Sequence, residues 1–171
     1  MLMKYGLLVS FTENLGEEIQ SLAALQYLPR VDYLLLKDYI GKFRLGEKLK
    51  VIMNGWFINM PKNWPPSPDI IPLFISFHIH PGSVWRILDQ RYIGYLKKHE
   101  PIGARDLFTY TLLKNFDIES YFSGCLTLTL DYKFSKLRDE NLHDKIVYVD
   151  IPDNIITSLP SEWKKNSIFL T

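Results

Sequence analysis

Residues 99–130 read HEPIGARDLFTYTLLKNFDIESYFSGCLTLTL, and this stretch sets the reading of the whole chain. A charged dipeptide, Arg105–Asp106, stands at the mouth of a helix in which Phe108, Leu112, Leu113 and Phe116 recur at helical offsets. Asp106 is a natural N-cap for that helix. Short strands are expected near residues 120–122 and 126–130, the latter in a strand-like run that includes Gly124 and Cys125. Arg105, with a glycine two residues before it and a helix start just after, is well placed to grip an anion.

Working outward, short apolar runs alternate with helical patterns. Residues 5–11 (YGLLVSF) predict a buried strand, and residues 17–28 a helix with Ile19, Leu22 and Ala23 at helical spacing. Strands follow over 31–36 (VDYLLL), 49–54 (LKVIMN) and 72–79 (PLFISFHI), the last reached through a loop rich in Trp and Pro over 56–69. Ser83 is expected to cap a helix whose Val84, Leu88, Tyr92 and Tyr95 share a face. This rhythm argues for an α/β fold: a parallel sheet with helices on both faces. Ligands in such sheets bind beyond the carboxyl ends of the strands. Asn14, Asn54, His78 and Arg105 all fall at or just past expected strand ends, as a single rim would require.

Composition narrows the class. The 171 residues fit one domain, or one with the start of another, and 47% of them are hydrophobic, enough for a sizeable core. Lys plus Arg number 20 against 19 for Asp plus Glu, so no global field draws the chain to nucleic acid. A single cysteine rules out an internal disulfide and suits a reducing, cytoplasmic setting. No apolar run approaches the roughly 18 residues of a membrane span. The expected organisation is a domain over 1–134, a charged linker over 135–145 and the beginning of a second domain over 146–171, where residues 146–151 (IVYVDI) start new structure. The apolar ending SIFLT makes the chain read as the front portion of something longer.

Candidate chemistry is sparse. Gly41-Lys-Phe-Arg-Leu-Gly46-Glu-Lys48 lacks the Lys and hydroxyl that a P-loop needs after its second Gly, so it reads as a solvated basic turn. No GxGxxG occurs. Asn14 and Glu17 form a capping-box pattern, with Gly16 giving close access to a ligand as the lesser role. His78 and His80 share one side of a strand, but no obvious third ligand completes a metal site, and His78 stays open as a proton donor or phosphate partner. Cys125 has no nearby basic residue to activate it and reads as packing. Trp56, Phe57 and Trp64 would let their loop stack on a sugar ring, or equally anchor it to the core. For Arg105 the alternatives are an anion site and a salt bridge to Asp106 or Glu100.

Four pieces together resemble the polysaccharide pyruvyl transferase family: Asn14-Leu-Gly-Glu-Glu-Ile-Gln-Ser-Leu22; Val51-Ile-Met-Asn-Gly-Trp56; Pro72-Leu-Phe-Ile-Ser-Phe-His78; and Pro101-Ile-Gly-Ala-Arg-Asp106 with Ser123-Gly-Cys-Leu-Thr127. The resemblance covers residues 5–130 and implies a Rossmann-like sheet, one half of a two-lobed architecture similar to the glycosyltransferase-B class. It implies transfer of pyruvate from phosphoenolpyruvate onto a sugar of a cell-surface polysaccharide as a ketal, with no cofactor named and no metal-ligating residues assigned. His78 and Asp106 are then the catalytic candidates, and Arg105, Asn14, Gly16, Asn54 and Gly124 the substrate-binding ones. The family's other half usually carries an Arg-Leu-His motif that this chain does not contain, which implies a missing C-terminal half or a homo-oligomer. The alternatives are half of a glycosyltransferase using a sugar nucleotide, and a non-catalytic truncated binding domain.

Overall fold

The alternating apolar runs pair into a six-stranded, all-parallel sheet in the computed structural model, which describes residues 2–12, 14–57, 60–87, 89–130, 144–149 and 151–170. The strands are β1 (Lys4–Val9), β2 (Tyr33–Leu36), β3 (Leu49–Trp56), β4 (Ile70–His78), β5 (Ile102–Ala104) and β6 (Ser120–Phe122). Their order is β2-β1-β3-β4-β5-β6, so the winding reverses between β1 and β3. Helices α1 (Leu15–Leu25), α2 (Val84–Ile87), α3 (Gln90–Lys98) and α4 (Leu107–Asn115) lie in the connections. The chain divides into two compact units, Met1–Leu130 and Asp131–Thr171.

Period-2 alternation sends neighbouring strand residues to opposite faces. Leu8, Val51, Met53, Phe74 and Phe77 join Tyr92 and Leu96 of α3 and Leu113 of α4 in the larger core. Leu7 and Ile52 point the other way and pack with Ala23 and Ala24 of α1 and with Leu126. Helices therefore flank both faces, α1 on one and α3 with α4 on the other. The α1 face is thinly covered: Leu73 in β4 remains 57% exposed. At the centre of the larger core Trp64 stacks on Tyr92 (5.8 Å between centroids, 6° between planes) and meets Tyr95 edge-on at 5.6 Å. Phe57 and Trp64, both buried, thus anchor their loop to the core instead of presenting it to a sugar.

Three expected elements differ. The helix expected after Ser83 is two: Asp89 accepts the N–H of Arg91 (2.9 Å) and so caps a fresh start for α3; Leu88, expected on its face, lies outside the described residues. The strand expected over 126–130 is a 3₁₀ turn, Leu126–Thr129. Gly124, at φ +69°, turns the chain after β6; Leu126 is then buried and gives its N–H to Ser76 Oγ (2.9 Å), while Leu128 stays 83% exposed. Gly124 and Cys125 accordingly lie beyond the last strand of the sheet. Finally, β4 carries one residue more than β3 between the pairs Met53–Phe74 and Gly55–Phe77. Ser76 absorbs this bulge at φ +59°, its N–H donating to Ser123 Oγ (2.9 Å), which itself donates to Ala104 O (3.0 Å).

In the second unit β7 (Ile146–Val149) and β8 (Ser167–Leu170) pair in parallel, linked through α5 (Asp153–Ser158) and α6 (Ser161–Lys165), with Tyr148 stacked on Phe169 at 5.2 Å. Of the expected linker over 135–145, residues 135–143 lie outside the described residues. No helix of the described residues is long and apolar enough to cross a membrane. Because Trp64 touches five aromatic neighbours, Trp64→Ala should cost about 3–5 kcal/mol, against a smaller loss for Trp64→Phe, as read from urea unfolding midpoints.

Candidate functional site

Parallel register brings two members of the expected rim, His78 and Arg105, to one edge. Trp56 at the end of β3 pairs with His78 at the end of β4, and Phe77 pairs with Ala104 at the end of β5. Arg105 follows directly, its N–H donating to Phe77 O at 2.8 Å.

Asp106 caps α4, its Oδ1 accepting the N–H of Thr109 at 2.8 Å. Its Oδ2 accepts the Thr109 hydroxyl (3.1 Å) and lies 2.6 Å from Nδ1 of His78. Thr109, wholly buried, accepts the N–H of Ile79 in turn (3.0 Å). Burial pushes the Asp106 carboxyl up, but the Thr109 N–H, His78 and the Thr109 hydroxyl together outweigh it and hold the group below the ordinary carboxylate range. Burial is also the main influence on His78, pushing it below its ordinary value of 6.5; the Asp106 hydrogen bond opposes this and the Arg105 charge adds to it. At neutral pH the pair is therefore an ionised carboxylate holding a neutral imidazole by Nδ1–H, which leaves Nε2 as a proton acceptor. Two sequence-expected catalytic residues thus meet.

Arg105 is half-buried, and its guanidinium makes no ion pair or hydrogen bond among the described residues. The salt bridges considered for it do not form: Asp106 serves His78 and Thr109, and Glu100 Oε1 accepts the N–H of Glu119 (2.8 Å). An unpaired planar fork of donors beside a neutral base is an arrangement that can hold a carboxylate or phosphate.

The other expected residues have structural occupations. Asn14 Oδ1 accepts the N–H of Gly16 (2.9 Å), so that donor is already used. Glu17 does not complete a capping box; its carboxylate pairs with Lys37, whose side chain is 9% exposed. Asn54, buried, donates from Nδ2 to Gln20 O (2.8 Å) and fastens α1 to β3. Gly124 sits past β6, where an added Cβ would meet nothing within 4 Å. His80 accepts the N–H of Gly82 (3.1 Å), and among the described residues no three His, Cys, Asp or Glu side chains cluster to hold a metal.

Sequence reasoning missed a cavity of about 150 Å³ beside the β1–β3 reversal, lined by Thr12, Asn14, Glu17, Lys37, Asp38 and Trp56. Its one signal was position: Lys37 and Asp38 directly follow the run expected as the second strand. Comparison with protein-family models, with curated proteins and with solved structures gives no match.

Two outcomes follow from these contacts. In an NMR titration the His78 midpoint should lie below 6.5; Asp106→Asn should lower it further by removing the opposing hydrogen bond, and Arg105→Ala should raise it. Since folded His78 binds protons less readily than unfolded His, its contribution to stability is present above 6.5 and lost as pH falls through that value towards the depressed one. Lys37→Met should cost about 2–3 kcal/mol by stranding the Glu17 carboxylate, and Lys37→Met combined with Glu17→Gln should recover most of it, a double-mutant cycle in urea being the measurement.

Proposed function

We propose that the larger unit is the phosphoenolpyruvate-handling half of a ketal-forming pyruvyl transferase acting on a sugar of a cell-surface polysaccharide. The observation that carries this reading is the Arg105 guanidinium, unpaired among the described residues, beside the neutral His78 imidazole held by the Asp106 carboxylate. The four-piece sequence resemblance, in which these three residues take part, also supports it.

In this reading Arg105 holds one anionic group of phosphoenolpyruvate, carboxylate or phosphate. The enol methylene takes a proton, and the neighbouring carbon becomes electron-poor. A sugar hydroxyl adds there as His78 Nε2 removes its proton, with Asp106 steadying the imidazolium that forms. The bond from that carbon to the phosphate oxygen breaks, and a second hydroxyl closes the ketal. Of the two hydroxyl protons, one ends on the new methyl group and one on the departing phosphate. No electrons are gained or lost overall, so no redox cofactor enters.

Phosphoenolpyruvate carries two anionic groups, and Arg105 serves one. The second falls to a facing C-terminal half or to a second copy of the chain. A phosphoenolpyruvate substrate places the reaction in the cytoplasm. A sugar-nucleotide glycosyltransferase half is the weaker reading, because the cavity at the sheet reversal carries two carboxylates, Glu17 and Asp38, against Lys37, and repels a diphosphate.

Calorimetric titration of the full chain tests this. Phosphoenolpyruvate should bind saturably and a sugar nucleotide should not, and Arg105→Ala should weaken the former by about tenfold or more with an unchanged circular dichroism spectrum. Binding of the sugar nucleotide alone, or an Arg105→Ala chain with full affinity, overturns the assignment.

A further inference from the structure

Gly41, Lys42 and Arg44, from the basic turn read in the sequence, line a second cavity. The 3₁₀ turn Lys37–Lys42 leaves the carboxyl end of β2, and the turn Pro61–Asn63 follows β3. The two meet closely: a Cβ on Gly41 would lie 2.2 Å from Asn63 O and 2.7 Å from Pro65 O, so only glycine fits there. Asn63 Nδ2 donates to Asp38 O (2.6 Å) and the Ser67 N–H to Ile40 O (3.0 Å), which fastens one loop to the other. The cavity they enclose measures about 260 Å³; Lys42, Arg44 and Lys62 line it with Pro65, Pro66 and Pro68, and no carboxylate is among its lining residues. We infer that this cavity binds an acidic polysaccharide through Lys42, Arg44 and Lys62. In naming the polymer the inference rests on the pyruvyl-transfer reading; the attraction for a polyanion does not.

Charge selects the class of ligand. Over the whole chain Lys and Arg exceed Asp and Glu only by 20 to 19, so three cations around one cavity are a local concentration. Among the described residues none of the three joins a salt bridge. Arg44 is positioned by its own turn, Nη1 donating to Gly41 O (2.9 Å) and Phe43 O (2.6 Å), and Lys42 Nζ stands 5.3 Å from the centre of the Tyr39 ring. Asp69, the carboxylate that feels the Arg44 charge, is occupied by the N–H groups of Leu45 (2.8 Å) and Gly46 (3.4 Å). Magnitude then selects the size of the ligand. Lys42, Arg44 and Lys62 are exposed, and a single exposed ion pair contributes little. A small anion therefore binds weakly here, whereas a polymer that repeats its charge engages several cations at once and in many registers. The proposed reaction makes such a polymer, because each ketal adds a carboxylate to a sugar that carried none. The site thus holds the modified strand by the charges that the reaction installs.

Biolayer interferometry with the full chain immobilised tests this, using a galactan that carries pyruvate ketals, the same galactan after mild acid has removed them, and poly(U) RNA. The ketal-bearing galactan should bind, and the acid-treated one about tenfold more weakly or less. Lys42→Gln combined with Lys62→Gln should weaken binding about tenfold or more with a wild-type melting curve. Lys42→Arg with Lys62→Arg should retain it, and salt at about 0.5 M should abolish it. Arg105→Ala, which removes the anion site of the transfer reaction, should leave it unchanged. The proposal is overturned by a ketal-bearing galactan that does not bind, by equal binding of the acid-treated polymer, or by full affinity in the Gln pair. Loss of affinity in Arg105→Ala, or equal affinity for poly(U), overturns it too. Galactan binding by a chain silent to phosphoenolpyruvate leaves this site standing and removes only the pyruvyl-transfer reading.

Discussion

Every strand of the sheet runs the same way, and the rest of the molecule follows from that constraint. Parallel neighbours cannot be joined by a tight hairpin, so each strand returns through a crossover that must lie on one face of the sheet. All carboxyl ends then share one edge, and residues separated by tens of positions become neighbours there. Trp56, His78 and Arg105 owe their proximity to nothing else: they are the last residues of, or the first beyond, three adjacent strands. The bulge at Ser76 adjusts this edge, since one extra residue in β4 sets the register in which Trp56 meets His78.

Asp106 shows how local and tertiary demands converge on one side chain. As an N-cap it satisfies an amide at the start of α4, a purely local duty. With its other oxygen it fixes the Nδ1 side of His78, 28 residues earlier in the chain, and Thr109 holds the carboxylate in place while also taking up the N–H of Ile79. The same group therefore stabilises a helix end and selects an imidazole tautomer, so folding and site geometry are not separable here.

The β1–β3 side of the edge is built differently. Its polar groups are mostly committed to one another: Glu17 to Lys37, Asn54 to the backbone of α1, Asn14 to its own helix end. These contacts lock α1 against the sheet and leave the adjoining cavity with a defined wall. Among the described residues Asp38 Oδ1 and Trp56 Nε1 are buried without a hydrogen-bond partner, against that background of satisfied groups.

Much of this was legible in residue order. Alternating apolar runs and helical offsets located β1, β3, β4, α1 and α4 with displaced ends, and Asp106 declared itself as a cap, because those signals are carried by neighbours in the chain. The rim of strand ends was legible too, once a parallel sheet was expected. Gly124 and the following residues were not: their apolar alternation reads as a strand, and only the hydrogen bond from Leu126 to the bulged Ser76, 50 residues away, makes them a turn. Nor could sequence decide between the readings of Arg105, since whether Glu100 and Asp106 are free to pair with it depends on what else they touch. By itself the sequence determined the strand–helix alternation and hence a parallel sheet whose carboxyl ends share one edge. Only the tertiary structure decided which polar groups on that edge are consumed by one another and which remain open, because hydrogen-bond satisfaction is a property of three-dimensional neighbours.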